Sequence, residues 1–67
     1  MKLHEAAKQA IENEDVDLFA QVSEQLRFRL GMNYEQSRDF FTKHTGIDAD
    51  EYEDWCYTAD CREARGL

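Results

Sequence analysis

Gly31-Met32-Asn33 and Gly46-Ile47-Asp48 decide how this chain folds. Each sets a glycine two residues ahead of a side chain that can start a helix. Glycine takes the left-handed conformation that closes a helix without a Cβ clash. The Asn or Asp oxygen then accepts hydrogen bonds from the orphan amides of the next first turn. Asp15 supplies a third start, and the chain has no proline. Read outward from these points, the sequence predicts four short helices, at 2–13, 16–30, 34–45 and 49–64. The expected fold is an all-α single domain over 1–67, a bundle with short Gly/Asn/Asp loops joined as two hairpins.

The apolar spacing within each segment agrees. Leu3, Ala6, Ala7, Ala10 and Ile11 share one side of the first helix, a stripe made mostly of alanine. In the second, Phe19, Val22, Ser23, Leu26 and Leu30 form an arc, with Val16 at its margin and Leu18 on a flank. Phe28 falls almost opposite, between Arg27 and Arg29. Asn33 and Gln36 have capping-box spacing, after which Ser37, Phe40, Phe41 and His44 face one way. Asp48 and Glu51 repeat the box, with Ile47 and Tyr52 at the positions of a hydrophobic staple. Tyr52, Trp55, Cys56 and Ala59 then line one face, Tyr57 points elsewhere, and Gly66 is the expected end of the ordered chain.

The formal net charge is −7, from 15 acidic and 8 basic side chains among 67 residues. Such a balance opposes non-specific attraction to nucleic acid or anionic membrane, because counterion release needs a basic surface. Asp48, Asp50, Glu51, Glu53 and Asp54 hold most of the excess. Acids in a first turn complement the helix dipole, which accounts for Asp48 to Glu51. Glu53 and Asp54 exceed that need and suggest a cation-facing surface. No apolar run approaches the ~20 residues that span a bilayer. The first residues lack the apolar core of a secretory signal, so a cytoplasmic location is the default expectation.

Cys56 and Cys61 lie five apart within the last helix, which puts their Cα atoms about 8 Å apart on different faces. A disulfide needs about 4.4–6.8 Å, so two reduced thiols are expected. His4, His44, Cys56 and Cys61 show no i, i+3 or i, i+4 pair, and no metal or cofactor site is expected from them. Nor is there a nucleophile paired with a base or a phosphate-cradling glycine loop, so the sequence offers no catalytic residues.

Two kinds of binding remain. Helices two and three, with Gly31 between them, have the outline of a helix-turn-helix that would bind DNA through Arg27, Arg29, Arg38 and Lys43. Two features oppose it. Arg27 stands where crossing helices require a small residue, and Tyr34-Glu35-Gln36-Ser37-Arg38-Asp39 would bring two acids to the phosphates. The favoured expectation is a small acidic, non-enzymatic module that binds a protein partner, a basic one fitting best. Its surface would comprise Phe28, Asp50, Glu53, Asp54 and Tyr57, residues that leave the apolar arcs or extend the acidic patch. The same surface would serve self-association, or mimicry of a nucleic acid toward a basic groove.

Overall fold

The structure, a computed structural model, describes residues 2–64. Four helices follow in order: α1 (Leu3–Glu12), α2 (Val16–Phe28), α3 (Tyr34–Thr45) and α4 (Ala49–Ala64). No strand occurs among the described residues, and the bundle is all-α as the sequence predicts. Gly66 lies outside the described residues.

The start signals act through side-chain oxygens. Asp15 accepts from the Leu18 amide at 3.1 Å, and Asp48 from the Glu51 amide at 2.8 Å. Asn33 and Gln36 form a reciprocal box, with bonds of 2.8 and 3.0 Å. Each contact satisfies an amide that the helix leaves orphaned, worth about 0.5–2 kcal/mol. Gly31 and Gly46 have φ of +66° and +81°, the left-handed closure their positions predict.

Two boundaries differ from expectation. The α1–α2 corner is a Schellman turn: the Asp15 amide reaches the Ala10 carbonyl at 2.8 Å and the Glu14 amide reaches that of Ile11 at 3.3 Å. Glu14 carries the positive φ, 52°, in a position glycine usually fills. Helix α2 stops at Phe28 rather than residue 30, and the Met32 amide turns back to the Leu26 carbonyl at 3.0 Å. Leu30 therefore leaves the helical phase and is 56% exposed, instead of joining the apolar arc. Met32 packs against the core in its place.

Sequential helices pack as pairs, and the pairs stack with α1 on α3 and α2 on α4. The diagonal α2–α3 closes, whereas no described Cα of α1 comes within 8 Å of α4. The core holds Ala7 and Ala10 from α1, Phe19, Val22 and Leu26 from α2, Phe41, Ile47, and Tyr52 and Ala59 from α4. Alanine lets α1 lie close to its neighbours while burying little area, so most of the hydrophobic stabilisation comes from the other three helices. Ile47 and Tyr52 are both buried, as the staple requires.

Candidate functional site

A groove of about 300 Å³ runs along the contact of α2 with α4 and the start of α3. Helix α2 supplies Phe19, Ala20 and Ser23 to its wall, with Glu24, Arg27 and Phe28 toward the rim. Asn33, Tyr34 and Ser37 come from the beginning of α3; Tyr52, Cys56, Ala59 and Asp60 come from α4. Nothing in α1 takes part.

Spacing explains why these residues meet. Ala20, Ser23, Glu24 and Arg27 recur at three and four along α2, and Tyr52, Cys56, Ala59 and Asp60 do so along α4. Each set is the flank of a helix whose adjacent stripe is buried. The small side chains Ala20, Ser23 and Ala59 leave the space between the two flanks unfilled.

The floor is polar. Ser37 donates to the Tyr52 hydroxyl, which donates to the Cys56 sulfur. Burial, followed by the bond to Cys56, pushes the Tyr52 phenol far above its usual value, while the Ser37 bond pulls the other way. Burial likewise pushes the Cys56 thiol up. The Tyr52 bond and Arg27 lower it, and the Asp60 and Glu53 carboxylates raise it. A thiol held neutral is a weak nucleophile. Ser23 Oγ is buried and makes no hydrogen bond.

The rim is aromatic and charged. Phe28 is 74% exposed, and the Arg27 guanidinium sits 6.0 Å from its ring centroid. Tyr34 is 51% exposed and meets Tyr52 edge-on at 5.3 Å. A shallower recess on the other flank of α4 is lined by Glu14, Val16, Asp54, Trp55 and Thr58.

The residues singled out from sequence are thus distributed rather than gathered. Phe28 lines the groove, and Glu53 acts on Cys56 and Tyr34 at its edge. Asp54 belongs to the other recess. Asp50 and Tyr57 are exposed on α4, Tyr57 by 72%. The sequence reading missed Ser23, taken only as a small residue in the arc, together with Tyr34 and Ser37. No periodicity marks them, because the groove joins three helices.

His4 and His44 face each other across α1 and α3 with ring centroids 5.3 Å apart, a pair that no spacing along one helix shows. Among the described residues, no group of three or more His, Cys, Asp or Glu side chains is placed to hold a metal ion. Cys56 and Cys61 are both free and part-buried. Arg27, named in the helix-turn-helix outline, is exposed. Arg38 is paired with Asp39 at 3.6 Å. Among the described residues, no helix is long and apolar enough to cross a membrane.

Compared with protein-family models, curated proteins and solved structures, the chain matches none.

Proposed function

We propose that this chain is a non-enzymatic protein-binding module that holds a basic partner along the α2–α4 groove. The observation that supports this most directly is Phe28, a large aromatic ring left in water at the mouth of a groove with a partly polar floor. Exposing such a ring forgoes about 1.5–3 kcal/mol of burial, a stabilisation that a partner would recover. Anchors of this kind, ringed by polar groups, dominate the affinity of protein interfaces. Glu24 and Asp60 on the groove, with Glu53 beside it, outnumber Arg27, and the whole chain carries −7. That field favours encounter with a cationic surface and opposes association of two copies.

Panning a random peptide library on the immobilised protein tests the reading. The retained peptides should be rich in Lys and Arg, should carry an apolar or aromatic anchor, and should lose binding to Phe28→Ala. Removing an exposed ring leaves the fold intact, so the variant isolates recognition. Peptides without basic enrichment, or equally retained by Phe28→Ala, would refute the proposal.

A further inference from the structure

The recess on the other flank of α4 shares no lining residue with the groove. Val16, at the start of α2, and Trp55 give it apolar surface, and both are part-exposed. Phe19, itself buried, packs on the Trp55 ring and holds it in place. Glu14 in the α1–α2 corner and Asp54 on α4 add one carboxylate each, and both residues are exposed. Neither has an ion pair among the described residues. The Thr58 hydroxyl turns back to the Asp54 carbonyl at 3.0 Å. Apolar surface bordered by two unpaired carboxylates complements an amphipathic cation, a long apolar stem that ends in positive charge. At about 350 Å³ and open to solvent, the recess suits a side chain laid across it rather than an enclosed free ligand.

We propose that this recess seats one arginine side chain of a protein partner, its stem against Val16 and Trp55 and its guanidinium bridging Glu14 and Asp54. Occupancy of the groove is not required, since the two sites are separate. Arginine fits better than lysine on two counts. Its planar guanidinium offers five donors in a fixed fork, so one group can bond carboxylates from two elements. An ammonium is instead a compact, strongly hydrated charge. Guanidinium also stacks on aromatic faces, and tryptophan is the best ring partner for a cation. The same two acids repel an anionic occupant such as a phosphorylated side chain.

Three acetylated tripeptide amides test this: Gly-Arg-Gly and its counterparts with lysine and with citrulline, which keeps the shape of arginine and lacks the charge. Each is titrated into isotope-labelled protein at about 0.1 M salt, where charges beyond ~10 Å are screened. Trp55 is the only tryptophan, so its indole N–H gives a single NMR signal. That signal and the amides of Val16 and Thr58 should shift with the arginine peptide, which should bind at least about fivefold tighter than citrulline. The lysine peptide should fall between them. Glu14→Gly and Asp54→Asn should each weaken the arginine peptide by about two- to fivefold. Glu35→Gln, which removes the same charge outside the recess, should leave it unchanged. Both recess variants keep the fold. Glycine suits the left-handed φ of 52° that Glu14 occupies, and Asp54→Asn retains the carbonyl that takes the Thr58 hydroxyl. Citrulline or lysine binding as tightly as arginine overturns the assignment, as does an affinity that falls equally in Glu35→Gln. An unmoved Trp55 signal overturns it too, whether or not the groove amides of Ala20, Ser37 and Ala59 respond.

Discussion

The ring of Phe19 stacks on the indole of Trp55, with centroids 5.2 Å apart and planes inclined by 30°. The same phenylalanine meets Phe41 at 4.8 Å and Tyr52 at 5.9 Å, so it joins α2 to both α3 and α4. It also lines the groove. Trp55 is the only tryptophan, so its fluorescence reports on this junction. Phe19→Leu should cost about 1–3 kcal/mol, from lost ring contacts and imperfect refilling of the space. Trp55 emission should move to longer wavelength in the native state. An unmoved spectrum would show that the stack does not govern the indole's surroundings.

Neighbouring phenylalanines on α3 should behave unequally. Phe41 is fully buried, whereas Phe40 is half-buried and lies against His44 at 4.6 Å. Phe41→Ala should lose about 3–5 kcal/mol, enough to leave a domain of this size largely unfolded. Phe40→Ala should cost clearly less. Urea denaturation of both beside the parent measures the gap, and equal losses would contradict the packing of α3.

The backbone at two corners predicts opposite signs for exchanges with glycine. Glu14 occupies the left-handed region at φ 52°, which costs an L-residue about 1–2 kcal/mol. Glu14→Gly should therefore stabilise, by about 0.5–1 kcal/mol after the added freedom of the unfolded chain is subtracted. Gly46 sits at φ +81° with open space around its Cβ position, so Gly46→Ala meets backbone strain alone. It should destabilise by about 1 kcal/mol. A denaturation midpoint that falls for Glu14→Gly would contradict the Schellman corner.

Alkaline pH should weaken the fold. The folded-state pKa values of Tyr52 and Cys56 are raised above the ordinary 10.0 and 9.0. Above those ordinary values the unfolded chain releases these protons while the native state keeps them. The unfolded state then binds fewer protons, and stability falls as pH rises. The decline should begin near pH 9 and steepen beyond 10. Tyr52→Phe should flatten the steeper part, as read from urea midpoints across that range. An unchanged slope in this variant would mean that Tyr52 ionises in the native protein.

What the sequence made legible was local. Asp15, Asn33 and Asp48 act on amides within three residues, and Gly31 and Gly46 close helices by their own φ. Phe28 and Tyr57 could be singled out because each departs from its helix's apolar arc, and both are exposed. Leu30 was misplaced because the arc was extended past a helix end set by the Leu26 carbonyl and the Met32 amide. Glu14 gave no signal, since residue preference favours the neighbouring Asn13 for a left-handed cap. The groove was hidden for another reason: Ser23, Tyr34 and Cys56 come from three helices, and no periodicity along one segment records that they meet.

Helix α1 contributes nothing to the groove and does not approach α4. Its exposed side chains, Glu5, Lys8, Gln9 and Glu12, can be exchanged with the recognition residues untouched. Robustness and specificity are therefore separable traits in this molecule. A lineage could trade one partner for another through α2 and α4 while adjusting thermal tolerance through α1, each along its own path.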